Sequence, residues 1–432
     1  MDFRITHCID TNRGLYGVSC VANCSRHNLS MTKNVLIAGG GIAGTATSFA
    51  LARAGWQAHV FERASEFSEV GAGVQLGPNV TRILQAWGLQ TALQDVAAFP
   101  TQLQARSALS GDVLATLSLG VDMQRRYGAP YVTIHRADLH QMLYGAALAA
   151  GAQVHPGAVV TALQNTAEQV EVQVSQADGN TTHTADVAVV ADGVWSQLRQ
   201  QLLVDGSVQP TGHLAYRTLL RQADLPVHMR SQDVTVWMGP YAHVVHYPVR
   251  GGAWLNLVAL TEGQMPGVTA DDLQSWNAQQ TPEQAEHDLK AALRGACAPL
   301  QELMAAASSW RAWPLCGRTP MQGAHQHVQG RVALLGDAAH PMLPYLAQGA
   351  GMAIEDAAVL AQQLAVTLNV PQALQAFAAQ RWQRNAQVQR GAIRNGQVFH
   401  ARGLMRWGRD LGLRLAGPML MDQPWLYGHH VN

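Results

Sequence analysis

An α/β fold is what this 432-residue sequence predicts: a parallel sheet carrying an inserted antiparallel sheet, followed by helices. Three observations lead to it. Apolar runs at 34–38, 185–191 and 331–335 end in glycine- and aspartate-containing turns, the mark of strands buried on both faces. Between 209 and 327 the pattern changes to short strands separated by turn residues such as Pro240 and Arg250-Gly251-Gly252. From Met352 onward the apolar period is helical.

Composition bounds the function. At about 150 residues per domain the length suits two or three units. Apolar residues make up 48% and charged residues 13%, which excludes intrinsic disorder. No apolar run approaches the ~18 residues of a membrane-spanning helix. Lys+Arg and Asp+Glu number 29 each, a balance that argues against nucleic acid as the main partner. Lys33 and Lys290 are the only lysines; every other cation is Arg. The five cysteines (Cys8, Cys20, Cys24, Cys297, Cys316) are too few for a disulfide framework in so long a chain, so a reducing cytoplasm is expected. Cys20, Cys24 and His27 lack a fourth ligand, and no metal site is expected. Residues 1–30 have no apolar periodicity and no signal-peptide core, and read as a disordered tail or a misassigned start before Met31.

The first element is the strand Asn34–Ala38. Gly39-Gly40-Gly41-Ile42-Ala43-Gly44 follows it with the G-x-G-x-x-G spacing. The first glycine permits the tight turn, the second a close backbone approach to a pyrophosphate, and the third close helix–strand packing. A helical pattern runs from Thr45 to Ala54 and is closed by Gly55. Its N-terminus offers unpaired N–H groups to phosphate charge. The second strand, Gln57–Glu62, ends in a carboxylate where ribose hydroxyls are bound in such units, and Arg63 is beside it. This βαβ unit predicts an ADP-containing cofactor. Asp192-Gly193-Val194-Trp195-Ser196-Gln197-Leu198-Arg199 and Gly336-Asp337-Ala338-Ala339-His340-Pro341 both follow strands, at the carboxyl ends where ligands gather. Gln348-Gly349-Ala350-Gly351-Met352 opens a helix with Glu355 and Asp356 in its first turn, and its backbone N–H groups suit a developing negative charge.

Within the inserted sheet the strands are Leu214–Leu220, Val234–Met238, His243–Val249 and Trp254–Leu260. Period-two geometry places His243, Val245 and Tyr247 on one face, with Val244 and His246 on the other. His213, Tyr216 and Arg217 occupy an earlier strand, where Arg217 either binds a substrate carboxylate or ties strands together. From Gln372 to about Arg414 one helical stretch carries Arg381, Arg384, Arg390, Arg394, Arg402, Arg406, Arg409 and Arg414, expected on a solvated face or a subunit contact rather than a membrane.

The three glycine–aspartate blocks, in this order, resemble the group A flavoprotein aromatic hydroxylases (the para-hydroxybenzoate hydroxylase family), from about Lys33 to the C-terminus. The stretches FERASEFSEVGAGVQLGPN, RYGAPYVTIHRADLH, GPYAHVVHYPVRGG and GDAAHPMLPYLAQGAGMAIEDA are most similar to the members acting on 3-hydroxybenzoate; those acting on salicylate and 6-hydroxynicotinate are close behind. The resemblance implies a Rossmann-like FAD-binding domain (31–208 and 328–365), a substrate domain (209–327) and a C-terminal helical segment (366–432). It also implies non-covalent FAD, NADH or NADPH as electron donor, O2 as co-substrate, and no second dinucleotide fold. Gly39, Gly41, Ala43, Gly44, Glu62 and Arg63 match the family's ADP end. Gln75 falls in its flavin-edge loop, Arg136 matches the arginine of its HRADL motif, and Asp192 belongs to a block serving both FAD and the passing nicotinamide. Asp337 with Gly349, Ala350 and Gly351 matches the ribityl and ring contacts. His243 and Tyr247 match the catalytic His and Tyr, and Tyr131 a substrate-contacting Tyr. Arg217, Tyr216 and Pro344 are further substrate candidates. Pro344 departs from the 3-hydroxybenzoate pattern, where an amide side chain is expected, and agrees with the salicylate type. The implied activity is hydroxylation of a small hydroxylated aromatic acid: 3-hydroxybenzoate to gentisate, or alternatively decarboxylative hydroxylation of salicylate to catechol, or the 6-hydroxynicotinate 3-monooxygenase type. The choice of NADH or NADPH and the question of a homodimer stay open. The competing classes are a flavin-binding redox sensor and a flavoenzyme working on quinone or isoprenoid substrates at a membrane.

Overall fold

A computed structural model describes residues 33–67, 73–265, 280–307 and 309–431. The expected tail at 1–30, with Cys8, Cys20, Cys24 and His27, lies outside the described residues.

The first sheet has the strand order Val328–Gln329, Val332–Leu334, Val187–Val190, Asn34–Ala38, Gln57–Glu62, Gln153–Pro156, with every pair parallel except the first. Both faces are covered, which explains the unbroken apolar runs. Val35 and Ile37 point into a cluster with the helices Ile42–Arg53, Gly349–Val366 and Val370–Phe399. Leu36 and Ala38 point the other way, onto a three-stranded antiparallel sheet spanning Val159–Asn165, Val170–Gln176 and Gly179–Ala185. Among the described residues no helix is long and apolar enough to cross a membrane.

The antiparallel sheet has seven strands: Arg311–Gly317, Gln209–Arg221, Trp254–Glu262, Ala242–Val249, Val234–Met238, Gln102–Ser107 and Val113–Ser118. Two of these precede residue 209, where the sequence reading placed no strand of this sheet. Gln102–Ser107 joins Val234–Met238 in parallel, a pairing that local alternation cannot reveal.

The single C-terminal helical stretch expected from Gln372 is two helices, Val370–Phe399 and Gly403–Met421. Asn369 caps the first, its side chain accepting from the Gln372 amide at 3.1 Å. The expectation of a solvated arginine face fails for Arg381 and Arg384. Both are buried, and they reach across to Glu355 and Asp356, which are fully buried in the second turn of Gly349–Val366 rather than its first. Arg381 bonds Glu355 Oε2 at 2.7 Å and Asp356 Oδ1 at 2.8 Å; Arg384 bonds Glu355 at 2.6 and 2.7 Å. His340 meets Asp356 Oδ2 at 2.5 Å. Burial alone would raise both carboxyl pKa values. The guanidiniums outweigh it for Glu355, holding it near 2; His340 and Arg381 together hold Asp356 far below its ordinary value. The cluster fastens the helix that follows the aspartate turn to the long C-terminal helix.

Candidate active site

The glycine turn is built by close approach. Gly39 has φ +101°, and a Cβ there would collide with the Ala191 carbonyl. A Cβ on Gly44 would strike the carbonyl of Gly39. Gly41 differs: it is the N-cap of Ile42–Arg53, and its Cβ position faces open space, so the helix N-terminus stays approachable by a phosphate. Ala43 serves a packing role, since a Cβ on Gly336 would lie 2.8 Å from the Ala43 side chain. The Gly336–Ala338 turn therefore docks on the glycine turn. Glu62 accepts hydrogen bonds from the amides of Gly40 at 2.7 Å and Ala64 at 2.8 Å, which fixes its carboxylate beside that turn.

Asp192 and Asp337 both expose their carboxylates, yet desolvation raises both pKa values, Asp192 to about 6. Exposure with partial desolvation means that each lines a hollow instead of the outer surface. Arg63 is the cation acting on Asp192; His340 and Arg136 act on Asp337. The Gly39 turn thus packs against Ala191 and Asp192, and Ala43 against the Gly336–Ala338 turn that carries Asp337; the open Gly41 position and the two exposed carboxylates suit a dinucleotide's phosphates and polyol. Arg199 has a different job: it bonds Asp205 and the carbonyls of Ala338 and Ala339, bracing the second aspartate turn from behind.

Gln75 lies on Gly73–Leu76, which pairs with Val132–His135. That register places Tyr131 at one end of the partner strand and Arg136, first residue of the helix Arg136–Ala149, at the other. Tyr131 Oη donates to Gln75 Oε1 at 2.5 Å, and Tyr247 Oη donates to the Gly73 carbonyl at 2.6 Å. The Tyr247 hydroxyl holds this loop against the seven-stranded sheet, and the Tyr131 hydroxyl ties it to its neighbouring strand. Asn256 adds a 2.8 Å bond to the Gly73 amide.

Register across the sheet assembles one face. His213 pairs with Glu262, Arg217 with Val258 and Tyr247 with Asn256, while His243 pairs with Leu260. His213, Arg217, Glu262, His243 and Tyr247 therefore project from the same side. Tyr216 does not. It is buried in the apolar cluster on the opposite face with Leu257, Leu289 and Trp310, which removes it from the substrate candidates; alternation along the strand requires this once Arg217 faces the site. The Arg217 guanidinium stacks over Trp313 at 4.4 Å, and its Nε has no hydrogen-bond partner among the described residues. Burial lowers its pKa to about 10, with Tyr247 and Arg136 its charged or ionisable neighbours. Pro344 begins the short turn Pro344–Leu346, between Asp337 and Gly349.

At the other end of this face five rings meet. His243 Nδ1 lies 2.9 Å from His400 Nε2, and Tyr345 Oη 2.7 Å from His213 Nδ1. His243 also touches the Tyr345 and Phe399 rings, at centroid distances of 5.2 and 5.1 Å. His400 Nδ1 is 3.6 Å from Glu262 Oε1. Burial, then His400 and His213, push the His243 pKa well below 6.5; burial and nearby cations bring His400 to about 4. Both rings are neutral at neutral pH. Glu262, His213 and Tyr345 line a cleft of about 750 Å³, whose walls do not include His243 or Tyr247.

His400, Trp313 and Tyr345 went unnoticed in the sequence. His400 lies 157 residues from His243, just beyond a helix end, and no local pattern marks it. A further trio, His327, His340 and Asp356, brings three ligand-type atoms within 4.8 Å. Arg381 and Asn385 already bond this aspartate, so the trio reads as part of the buried ion-pair cluster.

Residues 32–392 match the family described as FAD binding domain. The chain is 34% identical over 400 residues to the 3-hydroxybenzoate 6-hydroxylase of Polaromonas naphthalenivorans (strain CJ2), covering 92% of this chain and 96% of that one. It is 37% identical over 398 residues to a 3-amino-4-hydroxybenzoate 2-monooxygenase of Streptomyces platensis, covering 91% and 95%. The solved structure of a salicylate hydroxylase–substrate complex superposes with a TM-score of 0.75 at 26% identity, covering 93% of this chain and 96% of that one. A glycine turn with an approachable helix N-terminus, two aspartate turns packed against it and relatives matched along nearly their whole length lead to one assignment: the chain belongs to the FAD-binding-domain family of flavin-dependent aromatic monooxygenases.

Proposed function

We propose that this enzyme uses NAD(P)H and O2 to hydroxylate a small hydroxylated aromatic acid, with 3-hydroxybenzoate to gentisate as the lead reaction. The observation that carries the reading is the shared sheet face, on which a buried neutral imidazole and a stacked arginine project beside the Tyr247-braced flavin-edge loop. Bound and reduced, FAD supplies the activated oxygen. Gly39, Gly41, Ala43, Gly44, Glu62, Arg63 and Asp192 would hold its ADP end. Gln75, Arg136, Asp337, Gly349, Ala350 and Gly351 would hold the polyol and ring.

In this reading His243 makes the ring electron-rich by accepting the phenol proton at Nε2. A phenol pKa of about 10 against about 6.5 for imidazole makes the transfer uphill, and burial makes it steeper. His400 offsets that as a positioning residue: the proton on His243 Nδ1 passes to His400 Nε2, and the proton on His400 Nδ1 leaves towards Glu262 at the cleft. Both imidazoles end neutral, with their tautomers exchanged. Arg217 binds the substrate carboxylate, and Tyr131 and Tyr247 hold the loop. We take the enzyme as cytoplasmic, where a reducing environment keeps the free thiols Cys297 and Cys316 unpaired.

A second substrate, salicylate, is favoured by Pro344, which offers no donor where the 3-hydroxybenzoate pattern expects an amide. The test is NADH consumption by the purified yellow protein with a panel of hydroxybenzoates, with products identified by mass spectrometry under oxygen-18. Substrate-stimulated consumption with label in gentisate supports the lead, and label in catechol the alternative. His243→Ala should lower ring hydroxylation by ~10²-fold or more, as for a lost general base. Wild-type rates in that variant with unchanged pH dependence overturn its role.

A further inference from the structure

Three histidines from three strands converge at the open edge of the parallel sheet. His59 lies on Gln57–Glu62, His155 on the edge strand Gln153–Pro156, and His183 on Gly179–Ala185 of the three-stranded sheet. Phe61 gathers them. Its register partner across the sheet is His155, whose ring stacks on it at 4.9 Å, and the His183 ring meets it at 5.2 Å. His59, two residues from Phe61 and so on the same face, stacks on His155 at 5.7 Å. His59 Nδ1 and His155 Nε2 face each other at 3.4 Å. Among the described residues neither of these two rings has another hydrogen-bond or ion-pair partner. All three histidines are partly exposed, so the cluster is open to small solutes.

We propose that His59 Nδ1 and His155 Nε2 chelate a divalent transition-metal ion of the Zn2+ class, with His183 as the third donor. Zn–N bonds of about 2.0–2.1 Å at a tetrahedral angle place two ligating nitrogens about 3.3–3.4 Å apart. The pair already stands at that separation, so an ion enters with ring rotations alone. Without the ion, one ring holds a proton between the facing nitrogens. On binding, that proton passes to the same ring's other nitrogen, and both imidazoles stay neutral ligands. Burial, then the neighbouring imidazoles, lower the pKa of His59 and His155 below the ordinary 6.5, so the free bases prevail at neutral pH. Stacking on Phe61 fixes the plane of the His155 ring, the orienting role that groups around a metal site play. His183 Nε2 lies 2.9 Å from the exposed Thr181 hydroxyl, a partner that water replaces when the ring turns towards the pair. Imidazoles without a carboxylate select Zn2+, Ni2+ or Cu2+ over Mg2+ and Ca2+, which take oxygen ligands. The bound ion ties the edge strand and the three-stranded sheet to the strand that ends in Glu62. Its effect is on stability.

The test is calorimetric titration of the flavin-loaded full chain with ZnCl2, beside thermal melts in ZnCl2 and in MgCl2. The expected result is a stoichiometric Zn2+ equivalent and a melting temperature that climbs with Zn2+ concentration and ignores Mg2+. His155→Phe keeps an aromatic ring on Phe61 and removes the donor; it should lose both the equivalent and the thermal shift at unchanged flavin content. His183→Ala should weaken binding by at least the ~10-fold typical of losing a metal's supporting contact. Cys20→Ser/Cys24→Ser should bind as the wild type does. If His155→Phe fails to fold, diethyl pyrocarbonate labelling of the wild type replaces it, and Zn2+ should protect His59 and His155. A wild type that takes up no equivalent, full binding by His155→Phe, loss of the equivalent in the cysteine variant, or no protection of the two histidines overturns the inference.

Discussion

Replacing His400 by leucine tests the proton route most directly. His243 Nδ1 loses its partner at 2.9 Å, and a proton accepted at Nε2 then has no exit. The ring must hold an imidazolium in a site where burial already depresses its pKa well below 6.5. A hydrogen bond to a charged group is worth about 1.5–3 kcal/mol; at ~1.4 kcal/mol per decade, hydroxylation should slow ~10- to 150-fold. Reduction of the flavin by NADH needs no such proton and should be unchanged. Stopped-flow spectroscopy separates the two half-reactions, and product analysis measures how much NADH consumption is wasted. His400→Gln distinguishes relay from support, because its amide oxygen accepts from Nδ1 but passes no proton onward. Glutamine should leave substrate affinity at the wild-type value without restoring rate or the wild-type pH profile. The proton route is refuted if His400→Leu hydroxylates at the wild-type rate, or if His400→Gln is fully active with an unaltered profile.

Other outcomes follow from the same geometry. Arg217→Met should raise KM for a hydroxybenzoate by ~10- to 150-fold through loss of a charged hydrogen bond, while a phenol without a carboxylate shows no such change in steady-state assays. Gly39→Ala forces a side chain onto φ +101° and into the Ala191 carbonyl, so the purified protein should carry less flavin by its 450 nm absorbance and melt at lower temperature. Arg381→Met leaves Glu355 and Asp356 undercompensated in the core and should cost about 3–5 kcal/mol in denaturant unfolding. The same carboxylates set the acid limit. With Glu355 held near 2 against an ordinary 4.5, its contribution is complete above pH 4.5 and lost as pH falls towards 2. Thermal melts should therefore fall steeply over that window, and less steeply in Glu355→Gln.

Much of the cofactor tract is legible residue by residue because its signals are local. Gly39, Gly41 and Gly44 act within one turn, and Glu62 ends the adjacent strand, so their spacing carries the geometry. Alternation along one strand likewise separates His243 and Tyr247 from Val244 and His246. It fails at Tyr216 only because alternation does not say which face of a strand looks into the site; with Arg217 on that face, Tyr216 enters the opposite core. Arg381 and Arg384 depart from the expected solvated face for another reason. A helical charge pattern looks solvated unless its partners are known, and those of Arg381 lie 25 and 26 residues away on another helix.

The sequence by itself determined the buried parallel strands, the nucleotide turn, the two aspartate turns and the period of the inserted strands, since each is written in a pattern a few residues long. Only the tertiary structure decided that strands from 102–118 complete the inserted sheet, that Arg217 stacks on Trp313, and that His400 stands behind His243. Those neighbours are chosen by the packing of elements distant along the chain, where no repeating pattern records which side chain will arrive.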